Sequence, residues 1–240
     1  MRARKSLVAG VTAALAGLGA GAYFSTGSAQ SPPAAGEVTI AHGDARLPSD
    51  LPADWVGYAD HVAEVELLSE QEVPPSAEEL RIGEGYIGRT GTLAVQRVLW
   101  SREGAAPLPA SLPMNLAGWE FSGDVRRRLA GHDTPRVETG HTYLMAVSRY
   151  SEGWGPLGPG GTLPYDNGVI GQGESQGAPQ TADEARAATA ARSTVASTMA
   201  GQPAEALVAL LRTTAPDPKV AGLGGLPADK RFEQVTGPIE

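Results

Sequence analysis

A serine between two glycines, a glutamate beside a tryptophan, and four histidines are the places where this 240-residue chain could do chemistry. Gly173-Glu174-Ser175-Gln176-Gly177 has the Gly-x-Ser-x-Gly spacing of a nucleophile elbow. That turn exposes a serine hydroxyl between a strand and a helix, within reach of a histidine and a carboxylate. Here a hairpin-like segment precedes the serine and Ala178-Pro179 follows it, so the setting is wrong for an elbow. With 31 glycines in the chain, a chance match is the expected reading. Glu120, next to Trp119, is an acid in a strand-like aromatic setting. Asp166 or Glu174 would have to face it to make the carboxylate pair that glycoside hydrolysis needs. Asp166 already has a turn role, and alternation puts Glu120 on the solvent face.

Metal chemistry has little to work with. His132 and His141 flank a loop holding Asp133 and Glu138, but their spacing fits none of the common zinc patterns. Both read as solvent-facing. His61 follows Asp60 and reads as its hydrogen-bond partner, while His42 lies in a linker. The chain has no cysteine, which excludes thiol catalysis, thiolate metal sites and disulfides. Gly153 to Gly161 resembles a phosphate loop only in glycine content, with no Lys-Ser/Thr and no helix after it. No metal, no cofactor and no catalytic set is expected. Binding is what remains. Trp55, Trp100, Trp119 and Trp154 carry most of the aromatic surface, and most of them should be core. Trp119, Trp154 and the cluster Arg126-Arg127-Arg128 are the candidate binding residues, with Tyr86 and Tyr150 as possible neighbours.

The elements that must position these residues begin near Trp55. His61 to Leu68 alternates, with Ala63, Val65 and Leu67 on one face and Glu64 and Glu66 on the other, a half-buried strand. Glu70 to Gly85 is acidic, contains Pro74-Pro75 and reads as a loop. Gly91 to Trp100 is a second strand; Leu112, Met114 and Leu116 begin a third that leads to Trp119. Gly123 to Gly140 reads as a polar loop. The continuous apolar run Tyr143 to Val147 suits a central strand. Asn167-Gly168 suits a type I′ hairpin turn, where both central residues need positive φ. Asp183 to Met199 reads as helix, capped by Thr181 with Glu184 three residues on. Leu207, Leu210 and Leu211 form the apolar stripe of another helix after Pro203.

The N-terminus locates the chain. Arg2, Arg4 and Lys5 precede nineteen uncharged residues, Ser6 to Phe24, and then the small residues Ser25 to Ala29. This is the order of a secretory signal. The expectation is a signal peptide over 1–29, or a retained membrane anchor over 6–24, with an extracytoplasmic remainder. A flexible linker over 30–54 follows, in which Val38-Thr39-Ile40 could form a short edge strand. A β-domain over 55–177, a helical extension over 178–215 and a disordered tail over 216–240 complete the division. Without its three basic leader residues the chain has 16 basic and 27 acidic side chains, near −11. So acidic a surface repels phosphate backbones, which makes nucleic acid an unsuitable partner.

Three stretches carry a resemblance: Ala59 to Ala63, Thr92 to Trp100, and Gly140 to Val147. Together they resemble the OB-like barrels of exported proteins from GC-rich bacteria, which are similar to netrin-like and tissue-inhibitor-of-metalloproteinase barrels. Ser101-Arg102 stands where that pattern has Lys-Gly. The resemblance implies an α+β fold: a small OB-like antiparallel β-barrel of about five strands, with C-terminal helices. It does not imply protease inhibition, which uses an N-terminal cysteine that this chain lacks. The functional expectation is an exported, non-catalytic binding or interaction module of the cell envelope, its partner a protein or an envelope component. The alternative is a secreted hydrolase using Ser175 or Glu120.

Overall fold

A computed structural model of the chain describes residues 38–43 and 47–237. The leader expected over 1–29 lies outside the described residues. The described part opens with strand β1 (Val38–Ala41) and helix α1 (Pro52–Tyr58). Then come β2 (His61–Val73), α2 (Ala77–Ile82), β3 (Glu84–Ser101), β4 (Ser111–Ser122), β5 (Val125–Gly131), β6 (Thr142–Tyr150), β7 (Gly153–Pro156) and β8 (Thr162–Pro164). A small hairpin, β9 (Gly173–Ser175) and β10 (Ala178–Gln180), leads to helices α3 (Ala182–Thr189), α4 (Val195–Met199), α5 (Ala204–Thr213), α6 (Pro218–Ala221) and α7 (Ala228–Thr236).

The expected five-stranded closed barrel is not formed. Among the described residues the main sheet has eight strands in the order β1-β5-β4-β3-β2-β6-β7, with β8 also paired to β6. No ladder joins its two ends. The sheet is mixed, because β1 runs parallel to β5 while the other pairs are antiparallel. Two features make it larger and open. The arginine-rich stretch expected as loop is strand β5, returned from β4 by a two-residue turn at Gly123 (φ 56). Val38 to Ala41 then adds to the outer edge of β5, in register with Arg128 to Gly131.

Period-two alternation explains the layers. Ala63, Val65 and Leu67 of β2 and Tyr143, Met145 and Val147 of β6 face one apolar cluster, with Leu93, Leu112 and Leu116. Val62, Leu144 and Ala146 face the other cluster, built with Trp55, Leu207, Leu211, Val220 and Ala228 of the helices. Strand β6 is therefore buried on both faces, which is why its sequence is apolar without interruption.

The C-terminal segment also departs from expectation. Residues 218–236 include two helices rather than a disordered tail. Arg231 of α7 is fully buried and donates to the carbonyls of Gly57 and Tyr58 at 3.0 and 2.7 Å. Its Nη2 also meets Asp60 Oδ2 at 3.1 Å, and Arg102 Nη2 takes the other oxygen at 2.5 Å. Asp229 accepts Ser151 N at 3.0 Å and Ser151 Oγ at 2.5 Å. These bonds hold α7 against β2 and β6. The expected single helix over Asp183 to Met199 is split into α3 and α4, and the Thr181–Glu184 capping box is present. Asn167 and Gly168 adopt positive φ as the turn reading requires, but within a single 3₁₀ turn, not a two-stranded hairpin.

Candidate binding site

The sheet face that carries Leu67 and Leu93 changes character along its length, and two bulges set where. In β2, Leu67 pairs with Leu93 and Ser69 with Thr92, so Leu68 is an extra residue. An extra residue reverses which side chains point to a given face. Glu70 and Glu72 thus turn onto the face that Leu67 occupies below. In β4 the pairs Leu116–Arg89 and Trp119–Ile87 enclose one residue too many. The surplus sits at Ala117-Gly118, where the backbones are so close that a Cβ on Gly118 would lie 2.0 Å from the Ile87 carbonyl oxygen. Tyr86 Oη closes this bulge, accepting from Gly118 N at 2.9 Å and donating to Leu116 O at 3.4 Å.

Beyond the bulges this face is ionic. Arg89 is buried; its Nε lies 3.1 Å from Glu70 and its Nη1 3.5 Å from Glu138. Its Nη2 donates to the carbonyls of Arg136 and Val137. Arg136, also buried, donates to Leu129 O at 3.0 Å and Gly118 O at 2.9 Å and pairs with Glu138. Burial, and then the charge of Arg89, pull the Arg136 pKa down, while Glu138 opposes them.

The Glu174 carboxylate is the second anchor. It accepts Arg136 N at 3.0 Å, Val137 N at 3.2 Å, Gly177 N at 2.6 Å and Tyr143 Oη at 3.2 Å. Burial, supplemented by the Glu174 charge, pushes the Tyr143 hydroxyl well above the ordinary phenol value, so it acts as a donor; its bond from Glu138 N works in the opposite sense. These bonds fix Val137 at φ 57, a left-handed conformation that a β-branched residue rarely adopts.

The candidate aromatic–cationic group lies at the rim of this network. Trp119 is in register with Arg128, and Phe121 with Arg126, across the β4–β5 ladder. Arg126 and Arg128 therefore share a face with Trp119. The Arg126 guanidinium stacks over the Trp119 ring, 4.0 Å from its centre, and that of Arg136 lies 5.0 Å away. Arg126 also pairs with Glu72. Arg128 is half-buried and forms no ion pair among the described residues. Arg127 falls on the opposite face, in register with Glu120. Trp154 is not part of this group. It is half-buried against the apolar cluster that Leu67 and Leu93 share, 5.6 Å from the His61 ring.

The catalytic alternatives are dispersed. Ser175 ends β9 just before a turn through Gln176 (φ 52) and Gly177 (φ 83), and no histidine bonds to it among the described residues. The histidines are engaged elsewhere. His61 bridges Ser101 and Ala106, both at 2.8 Å; His141 pairs with Asp166 at 2.6 Å; His132 stacks on His42 at 4.4 Å and meets Asp133 at 3.1 Å. His61 thus does not bond the Asp60 carboxylate, which Arg102 and Arg231 occupy. Glu120 faces Tyr86 and Arg127, Asp166 is held by His141, and Glu174 is the buried clamp. Among the described residues no group of three or more potential ligands could hold a metal ion.

The sequence reading missed Arg89 and Arg136, and weighed Glu174 only as a partner of Glu120, not as a buried clamp. A buried arginine is not visible in composition, but the Gly123-Asp124 turn between Phe121 and Val125 was a hairpin signal that would have placed residues 126–128 on a strand beside Trp119. No family model matches the chain, and neither does any curated protein or solved structure.

Proposed function

We propose that this chain is an exported, non-catalytic binding module of the cell envelope, and that it binds through the open face formed by Trp119, Arg126 and Arg128. The order of basic start, apolar run and small residues at the N-terminus supports export. Among the described residues no helix is long and apolar enough to cross a membrane.

The observation that carries the binding reading is the stack of Arg126 on Trp119 with Arg128, which forms no ion pair among the described residues, in register beside the same ring. A guanidinium without a carboxylate partner offers a planar fork of donors to a carboxylate or phosphate. The indole beside it supplies an apolar plane and a held geometry. The partner is a protein or envelope component carrying such an acidic group. A single small acidic group meets chiefly these nearby cations, because at physiological ionic strength charges more than about 8 Å away are largely screened, whereas an extended phosphate backbone would meet the acidic surface as a whole.

Titration of the purified full-length protein with a labelled acidic peptide, against a basic peptide of equal length, tests the reading. Arg128→Ala should weaken the acidic peptide about tenfold, the loss of one charge-assisted contact, and leave thermal stability nearly unchanged. Equal binding of both peptides, or no effect of Arg128→Ala, would refute this site. Turnover of an ester or glycoside panel that vanishes in Ser175→Ala or Glu120→Gln would replace the binding reading by hydrolysis.

A further inference from the structure

A second surface, joined to the Trp119 face through the Glu72–Arg126 pair, is the outer edge of β2. Strand β6 pairs with β2 only from His61 to Glu66. Its upstream end turns away at Gly140, which has φ 82. Beyond Glu66, β2 continues along β3 to Val73, and residues 68–73 are all exposed. Among the described residues their backbone bonds only with β3. Leu68 and Val73, at the two ends of this edge, are 61% and 44% exposed.

Other open edges among the described residues are blunted, whereas residues 69–73, beyond the bulge at Leu68, run in unbroken register with β3; the far end of β3, past its pairing with β4, carries two bulges. Strands β1 and β7 are four residues each, and β7 ends in Pro156. The stretch of β4 that lies beyond its pairing with β5 carries Pro113. Short strands and proline are the usual means of preventing an edge from pairing with another chain. Residues 68–73 have no proline and no lysine.

We propose that this edge accepts an extended segment of a partner protein as an added strand, continuing the line of β6, and that the segment carries basic residues at alternate positions. Charge selects the occupant. Strand β2 contains Glu64, Glu66, Glu70 and Glu72 and no basic residue. A second copy of the same edge is disfavoured. Two-fold antiparallel pairing centred on Glu70 sets that residue against itself, and pairing centred on Gln71 sets Glu70 against Glu72 twice. Like charges directly opposite destabilise a ladder. Lysine or arginine at the corresponding positions of a foreign strand meets carboxylates instead. Each carboxylate has acceptor capacity beyond its bond to Arg89 or Arg126. Main-chain bonds then supply affinity and the alternating charges supply selectivity.

The test uses the full-length protein and a seven-residue synthetic peptide alternating lysine with threonine or valine. Binding is read by anisotropy and mapped by hydrogen exchange. The expected result is binding with slowed exchange over residues 68–73. N-methylation of alternate peptide residues on the edge facing β2 should weaken binding by at least about tenfold, since several backbone bonds are lost. Methylation on the opposite edge should leave it unchanged, and a glutamate-for-lysine peptide should not bind. Equal loss from both methylation patterns, protection at another strand, equal binding of the glutamate peptide, or no binding at millimolar concentration overturns the proposal. Binding here persists in Arg128→Ala, so the two surfaces fail separately.

Discussion

Val137 donates its backbone N–H to Glu174 Oε2 at 3.2 Å, and this bond helps to hold a β-branched residue at φ 57. Such a conformation costs about 1–3 kcal/mol and persists only where the surroundings over-determine it. Here they do. Glu174 accepts the N–H groups of Arg136 and Val137, Arg89 donates to the carbonyls of both, and the Val137 side chain packs in the apolar cluster.

Glu174→Gln is therefore expected to destabilise the fold by about 2 kcal/mol, because the amide nitrogen faces donors where a carboxylate oxygen accepted them. Urea unfolding measures this. A change below about 0.5 kcal/mol would show that the clamp is dispensable.

Arg231→Met should cost about 3 kcal/mol, since it leaves Asp60 with one cation, the buried Gly57 carbonyl without its donor and the Tyr58 carbonyl with Ser148 Oγ alone. Limited proteolysis should then cut within α7 before the sheet unfolds. Wild-type resistance in the variant would mean that α7 is held by its apolar contacts alone.

Asp229 gives a pH dependence. Burial alone would raise its pKa, but the Ser151 side-chain and backbone donors outweigh it and hold the carboxyl below the ordinary value. A depressed folded-state pKa contributes stability that is present above the unfolded value, about 3.9, and is lost as pH falls through the folded value. The stability difference between the wild type and Asp229→Asn should therefore be constant near neutrality and shrink below about pH 4. Chemical denaturation at a series of pH values reads it; a difference that grows on acidification contradicts the assignment.

Gly118→Ala probes the β4 bulge. The added carbon would meet the Ile87 carbonyl oxygen, which is backbone and cannot rotate away. Overpacking of this kind costs about 1–3 kcal/mol. Because Trp119 is the next residue, its fluorescence should shift with the loss of stability. A thermal midpoint equal to wild type would show that the two strands can separate freely here.

The legible part of this fold was its apolar alternation. Strands β2, β3, β4 and β6 contain the stretches that alternation or an apolar run placed in strands, but β2 runs on to Val73, β3 begins at Glu84 and helix α2 lies between them where Glu70 to Gly85 read as loop; Thr181 caps α3 as its spacing with Glu184 required. What escaped was held by charge. Strand β5 looked like loop because residues 126–128 are arginines, although their bonds to Trp119 and Glu72 are made across strands. Helix α7 looked disordered because it is short and polar, and its fixed point is a buried arginine whose partners lie about 170 positions earlier. Closure looked like a barrel problem because local patterns do not reveal which strand edges meet. At the candidate site, the neighbourhood of Trp119 and the arginines was legible as composition, but the role of Glu174 was not. A glutamate in a hairpin gives no sign that its acceptors serve a loop some 37 residues upstream.

One amino acid separates the oily half of this wall of the sheet from its ionic half. Were the bulge flattened so that Leu68 paired with Thr92, the chain downstream would slip by one residue, and Ser69 and Gln71 would take the places opposite Gly91 and Arg89 now held by two acids. Arg89 and Arg126 would lose their counter-ions together without either being touched. The parity of the chain, more than the identity of any side chain, decides whether that wall carries charge.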